Sequence, residues 1–469
     1  MNKETIVLAK KIIIVGGGPA GYIAAIRGAQ LGAEVCLVER AVLGGTCLHV
    51  GCIPTKVLLH AGEFYHKANT GAVPGVISSA ALDWGAVMEH KEMVVRRLTG
   101  GVSWLLEKNG VRILNGHAVM LPGQRVQVGE ETLTADAIVL AAGSVNTALP
   151  FPGNDLEGVI DSTAALSMQD LPESIAIVGG GVIGVEFATL FSYLGAKVTM
   201  IEMMPEILPT VDAEIAGILR GKLEAAGIRI GTGARLTGVK KAEGLLKVSE
   251  GPLVVSIDKD GQAETLQAEK VLVAVGRRPN TAGLGLEDIE VAMDRGAVVT
   301  DDRFRTSVPG LYAIGDCNGK MMLAHAAMEQ GIVAVEDIMG VGGHGRRGYI
   351  PACVYASPEI ASVGLTEEQV LQSGVPYTTG RFSLAGNGKA LIEGQDGLIK
   401  IIADKAYGEI LGVHMIGPKV TEMIAEATMC MNMEGTVEDV IRTVHAHPTV
   451  SESVGEAAMA VLGMAIHGS

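Results

Sequence analysis

The sequence predicts an α/β protein built from two doubly wound units and a C-terminal α+β domain. Three observations predict it. A strand, a Gly-rich turn, a helix and a second strand ending in glutamate occur twice, offset by 163 residues from Gly16 to Gly179 and from Glu39 to Glu202. Glycine, at 63 of 469 residues, is nearly double its usual share of about 7%, as tight strand-to-helix turns and close backbone approach to ligands require. A composition of 48% apolar and 19% charged residues is that of a packed globular chain, long enough for about three domains. It excludes wholesale disorder, a collagen-like repeat and a coiled-coil rod.

The elements follow in order. Lys11 to Val15 is an apolar run that enters GGGPAG, with Gly16, Gly18 and Gly21 in the GxGxxG pattern; an alanine-rich helix follows, then EVCLVE ending at Glu39. One glycine makes the turn, one admits a pyrophosphate close to the backbone, one lets helix and strand pack, and the closing carboxylate accepts from a ribose hydroxyl. Ser174 to Val178 enters GGGVIG (Gly179, Gly181, Gly184), with a helix through Leu194 and KVTMIE ending at Glu202. Met203, Met204 and Pro205 follow with no arginine nearby, so the second unit favours NAD over NADP. Between the repeats, Val111 to Val119, Arg125 to Val128 and Ala137 to Ala141 read as strands, and Met88 to Lys108 has helical periodicity. Leu149 to Gly153 is a linker into the second unit, and GRRPN after Val271 to Gly276 marks the exit. LYAIGD (Leu311 to Asp316), a helix from Ala324 to Met339 and the Gly-rich GVGGHG then lead to a final domain beginning near Gly348.

A net charge of −15 repels nucleic acid and an anionic membrane surface, so neither is expected as a partner. No apolar run approaches the roughly 20 residues of a membrane span, and MNKETIVLAK lacks a signal or transit segment, so a cytoplasmic protein is expected. Six scattered cysteines do not make a secreted disulfide framework. Only Cys47 and Cys52, in GGTCLHVGCIPTK, are close, at a spacing that suits a redox-active pair. The residues leave zinc and an inert reduced pair open beside that reading. Metal would need ligands beyond His49, and no structural metal is expected. HAHPTVSE brings His447 and Glu452 together, and an imidazole held by a carboxylate is a competent general base for a thiol.

GGTCLHVGCIPTK, LYAIGD, HMIGPKVTEMIAE and HAHPTVSE, in that order, resemble the signature segments of the flavoprotein disulfide oxidoreductases, a likeness running from about Lys11 to the last helices. The resemblance implies a discontinuous FAD-binding domain (residues 1–149 and 277–347), an NAD-binding domain (150–276) and an interface domain (348–469). FAD would take Gly16, Gly18, Gly21, Glu39, Gly143 and Asp316, with Glu39 on the adenosine ribose and Asp316 on the ribityl chain; NAD would take Gly179, Gly181, Gly184, Glu202 and Gly276. Lys56 would lie beside the flavin, paired with Glu186. It also implies a homodimer in which His447 and Glu452 act on the other subunit's Cys47. The implied activity is oxidation of protein-bound dihydrolipoamide with reduction of NAD, through a Cys47–Cys52 disulfide, in cell redox homeostasis. Its partner would be a lipoyl domain of a multienzyme-complex acyltransferase or of a glycine-cleavage carrier protein.

Four positions depart from the pattern: His49 for Asn, Thr55 for Ser, Ala142 for Thr, and Cys317 after Asp316. Alternatives are a glutathione-type or mercuric-type reductase and a non-catalytic flavin-binding subunit. Glu202-Met203-Met204 offers no cation to a 2′-phosphate, the terminus MAIHGS holds no second cysteine pair, and the intact Cys47, Cys52, His447 and Glu452 set speaks for turnover.

Overall fold

A computed structural model of the protein describes residues 9–71, 73–242, 252–341 and 348–468. They form two compact units, the first of Met1–Val57, Met88–Thr147 and Arg277–Arg347, the second of Leu58–Val87, Ala148–Gly276 and Gly348–Ser469. The Gly-rich segment predicted at 340–345 lies outside the described residues from 342 onward.

The first unit is organised by a parallel sheet in the order Leu311–Ala313, Ala137–Leu140, Lys11–Val15, Glu34–Glu39 and Arg112–Asn115. Lys11–Val15 is apolar after its first residue because helices and loops cover both faces of a central parallel strand, and Ile12, Ile13 and Ile14 are buried accordingly. Helices Pro19–Gln30 and Ala324–Met339 pack together through small residues: a Cβ on Gly331 would lie 2.7 Å from the Ala20 carbonyl oxygen. An antiparallel ribbon of Ala118–Leu121, Arg125–Val128 and Glu131–Thr134 and the strand pairs Ser144–Asn146 with Arg277–Pro279 and Met293–Asp294 with Ala297–Val298 belong to the same unit.

Two expectations need correction. The run Val111 to Val119 is two strands, Arg112–Asn115 closing the parallel sheet and Ala118–Leu121 opening the ribbon. The chain changes sheet at Gly116, where a Cβ would meet Val128 at 2.6 Å. The helix expected from Met88 starts at Trp84, whose indole N–H donates to the Met168 carbonyl.

The second unit repeats the parallel sheet as Arg229–Gly231, Lys197–Ile201, Ser174–Val178, Lys270–Val273 and Val159–Asp161. An antiparallel meander of Ala234–Lys241, Leu253–Lys259 and Gln262–Ala268 adjoins it. The C-terminal part is an antiparallel sheet in the order Ala352–Val354, Glu359–Gly364, Ile410–Gly417, Leu398–Asp404 and Tyr377–Ser383, covered by helices Val420–Asn432 and Glu452–Val461. Among the described residues no helix is long and apolar enough to cross a membrane.

One buried ion cluster stands out in this unit. Lys400, 1% exposed, places Nζ 2.9 Å from Asp212 Oδ1, 3.0 Å from Glu214 and 2.6 Å from Glu367. Asp212 also caps helix Ala213–Ala225 and accepts from the Glu367 N–H. Burial alone would raise the Asp212 pKa, but Lys400 and that N–H outweigh it and hold the carboxylate below its usual range. Burial would likewise lower Lys400, yet Glu367, Asp212 and Glu214 raise it. The depressed acid contributes stability that is lost as pH falls through its folded value, and the raised base stability that is lost as pH rises through its own. The cluster is therefore intact between about pH 4 and about pH 10.

Lys400→Met should destabilise the protein near neutral pH by about 3–5 kcal/mol, the usual consequence of stripping the partner from a buried charge. The deficit should shrink toward pH 5.5, because Asp212 without its cation takes up a proton more readily. Urea unfolding midpoints at pH 7.5 and 5.5 check this, and a deficit independent of pH would contradict it.

Candidate functional site

The two Gly-rich turns divide their labour identically. A Cβ on Gly16, whose φ is +108°, would sit 2.2 Å from the Ala141 carbonyl oxygen, and one on Gly21 would sit 1.8 Å from that of Gly16. In the second turn the Gly179 Cβ would lie 2.4 Å from the Ala274 oxygen, and that of Gly184 1.9 Å from the Gly179 oxygen. These four glycines let strand and helix close on each other. The middle ones differ: around Gly18 the nearest atom to a Cβ is 3.9 Å away, and around Gly181 nothing lies within 4 Å. Both cap a 12-residue helix, with no capping side chain and no acid in the first turn. Open backbone at the positive end of a helix dipole is a cradle for a pyrophosphate, so each turn fits a dinucleotide.

Each closing glutamate is fixed by backbone. Glu39 Oε2 accepts from the Gly17 N–H at 2.7 Å and Oε1 from the Ala41 N–H at 2.8 Å. Glu202, just past the end of its strand, accepts from the Gly180 N–H and, at 2.6 Å, from the Met204 N–H. A carboxylate has about four lone-pair positions, which leaves acceptor capacity for ribose hydroxyls. Gly143 and Gly276, at φ +71° and +106°, both have open space where a Cβ would be. Asp316 lies in the turn Gly315–Asn318 after strand Leu311–Ala313 and accepts from the Ser144 hydroxyl.

The redox segment is tied to the first turn. The Gly44 N–H donates to the Gly17 carbonyl at 2.8 Å, and Gly45 faces Gly18 so closely that a Cβ on it would lie 2.8 Å from the Gly18 Cα. Short helix Gly45–His49 carries Cys47, and helix Cys52–Asn69 begins at Cys52, so the chain turns between them and sets the thiols side by side. The Cys47 thiol is held well above its ordinary range first by its hydrogen bond with Cys52 and then by burial, while the Lys56 charge acts the other way. Cys52 is exposed and Cys47 half-buried.

His49 points elsewhere: its Nε2 lies 2.8 Å from the Leu43 carbonyl oxygen and 3.2 Å from Thr99 Oγ1. Cys317 is fully buried, with Sγ 3.2 Å from the Ile314 oxygen, and burial pushes its thiol up to about 12. It is a packing residue.

In the second unit His447 Nδ1 lies 2.9 Å from Glu452 Oε1, and Glu452 Oε2 accepts from the Thr449 N–H at 2.9 Å. That N–H and then His447 hold the Glu452 carboxyl below its usual range, so it is an anion at neutral pH. It therefore takes the Nδ1–H of His447 and leaves Nε2, on a ring 80% exposed, as the basic nitrogen. Glu186 is buried on helix Val182–Tyr193 and accepts from the Tyr355 N–H at 3.1 Å.

Two residues escaped the sequence reading. The Ser144 hydroxyl links Arg277 to Asp316, and the only sequence signal was that Arg277 stands in the GRRPN turn cluster.

Residues 10–331 match the pyridine nucleotide-disulphide oxidoreductase model, and residues 350–458 match the dimerisation domain of the same family. The chain is 42% identical over 460 residues to a dihydrolipoyl dehydrogenase of Thermus scotoductus, covering 97% of this chain and 98% of that protein. A Bacillus subtilis dihydrolipoyl dehydrogenase is 41% identical with the same coverage, and the mitochondrial one of Pisum sativum is 40% identical, covering 97% of this chain and 92% of that protein. Among solved structures, LpdA of Mycobacterium tuberculosis superposes with a TM-score of 0.87 at 26% identity over 96% of this chain and 99% of that one. The HOCl-induced flavoprotein disulfide reductase RclA of Escherichia coli does so with 0.85 at 28% over 96% and 99%.

Proposed function

The chain belongs to the pyridine nucleotide-disulphide oxidoreductase family, and we propose that within it the protein is a dihydrolipoyl dehydrogenase, oxidising protein-bound dihydrolipoamide and reducing NAD to NADH. The observation that carries the reading is the hydrogen-bonded pair Cys47 and Cys52, tethered to an open dinucleotide turn. Relatives of that name at 40–42% identity across nearly the whole chain support it.

Residues 1–149 with 277–347 form the FAD-binding domain in this reading, 150–276 the NAD-binding domain and 348–469 the interface of a homodimer. Gly16, Gly18, Gly21, Glu39, Gly143 and Asp316 hold FAD, and Gly179, Gly181, Gly184, Glu202 and Gly276 hold NAD. Lys56, whose charge acts on the Cys47 thiol, would lie beside the flavin. FAD, when bound, relays two electrons from the dithiol to NAD.

The protein's own groups do the exchange. A substrate thiol gives its proton to His447 Nε2, and its sulfur attacks Cys47 Sγ; the Cys47–Cys52 bond breaks, a mixed disulfide forms and Cys52 leaves as thiolate. The second substrate sulfur then displaces Cys47, its proton passing to the Cys47 sulfur, so lipoamide leaves oxidised and the two cysteines hold the electron pair. Glu452 steadies the imidazolium that forms between the steps. His447 and Glu452 serve the partner subunit's disulfide. A lipoyl domain of a multienzyme complex or glycine-cleavage carrier delivers the substrate. A cytoplasmic location belongs to the same proposal, since a reducing compartment keeps a close cysteine pair exchangeable.

The glycines test the cofactor assignments separately. Gly21→Ala drives a Cβ into backbone and should prevent folding. Gly18→Ala has room and should give a folded protein whose FAD affinity falls by about tenfold or more, with Gly181→Ala doing the same to NAD while FAD stays bound. Flavin absorbance after gel filtration and the KM for NAD read the two effects. Normal FAD retention in Gly18→Ala would count against a pyrophosphate at that turn.

A further inference from the structure

Arg277 opens the strand Arg277–Pro279, which pairs with Ser144–Asn146. Its Nε donates to Ser144 Oγ at 2.8 Å, Nη1 to Asn146 Oδ1 at 2.6 Å, and Nη2 to the Ser144 carbonyl at 2.7 Å and to Thr46 Oγ1 at 3.4 Å. Since the Ser144 hydroxyl accepts from the guanidinium, its own proton is aimed at Asp316 Oδ2, 2.5 Å away. One planar fork thus reaches the residue before Cys47 on one side and, through a single hydroxyl, Asp316 on the other. All of these residues lie in the first unit. A lysine keeps the charge but presents one nitrogen on a flexible stem and cannot hold these partners together.

We propose that Arg277 is a positioning residue of the redox site, holding Thr46 and with it Cys47 where Cys47 and Cys52 close their disulfide, and aiming the Ser144 hydroxyl at Asp316. Disulfide closure needs Cα atoms within about 7 Å and a narrow dihedral range. A fixed Thr46 raises the effective concentration of one thiol at the other and so favours the disulfide over the dithiol. The Ser144 limb rests on the assignment of Asp316 to the FAD ribityl chain, whereas the Thr46 limb requires no substrate or cofactor assignment.

The test equilibrates FAD-loaded protein in glutathione redox buffers, traps thiols with a maleimide and reads the Cys47–Cys52 state by mass. Arg277→Lys should shift the equilibrium toward the dithiol by about fivefold or more. Thr46→Val, which leaves the bonds of Arg277 to Ser144 and Asn146, should shift it the same way by about threefold and retain its flavin. Ser144→Ala should leave the equilibrium within about twofold and release flavin several-fold faster. A purely structural role would lower the unfolding midpoint without moving the equilibrium. If both Arg277→Lys and Thr46→Val stay within twofold of the parent, the proposal is overturned. Should Arg277→Lys fail to fold, Thr46→Val decides alone. A shifted equilibrium in a protein that does not oxidise dihydrolipoamide would uphold the positioning role and remove the substrate assignment; normal oxidation with an unmoved equilibrium would do the reverse.

Discussion

Cys47→Ser and Cys52→Ser should each reduce dihydrolipoamide-dependent NAD reduction by on the order of 10³-fold or more, the scale expected when one member of a set of groups that acts as a unit is removed. Neither variant can form the disulfide, and a serine hydroxyl neither attacks nor leaves in thiol–disulfide exchange. Their hydrogen-bonded adjacency gives them one shared function, so the double variant should be no worse than either single one. Electron flow from NADH to an artificial dye, which needs no thiols, should survive in both. Stopped-flow mixing with dihydrolipoamide and steady-state dye reduction separate these outcomes. Normal dihydrolipoamide turnover in either variant would remove the disulfide from the mechanism.

His447→Gln should slow the reductive half-reaction with the dithiol by about 10²-fold or more, within the usual range for a general base. It should leave reduction by NADH within a fewfold of the parent. Glu452→Gln keeps an acceptor near the imidazole but removes the negative charge, and should lose less, on the order of tenfold. The geometry behind both is the 2.9 Å contact of Nδ1 with Glu452, which leaves Nε2 as the nitrogen that would take the substrate proton in the proposed mechanism. Rapid kinetics of the two half-reactions on each variant provide the check. Equal slowing of both halves would point to a general disturbance of the site.

What was legible in the sequence is what is local. Gly16, Gly18 and Gly21 with Glu39 sit within one strand–turn–helix–strand unit, and the backbone constraints on them are properties of that unit. Cys47 and Cys52 are joined by a single turn, and His447 and Glu452 stand five positions apart, so the spacing carried the geometry. What was hidden depends on pairing across long stretches of chain. Arg277 matters through residues 46, 144 and 316, and nothing in GRRPN names them. Lys400 and Asp212 meet across 188 residues, and a lysine in the apolar strand Leu398–Asp404 reads as a pattern error until its three carboxylates are seen. The split of Val111 to Val119 was hidden for a related reason, since two strands in different sheets read alike by alternation and only the sheet assignment at Gly116 separates them. His49 shows the limit of neighbourhood in sequence: it stands between the two cysteines, yet it bonds to Leu43 and Thr99.

The most direct test of the central claim is steady-state NAD reduction by dihydrolipoamide with the purified FAD-loaded protein, with NADPH and glutathione disulfide run in parallel. Rapid formation of NADH from dihydrolipoamide, with little turnover of NADPH and glutathione disulfide, is the expected result. A flavin that NADH reduces but dihydrolipoamide does not, or preferential turnover of NADPH with glutathione disulfide, would contradict it.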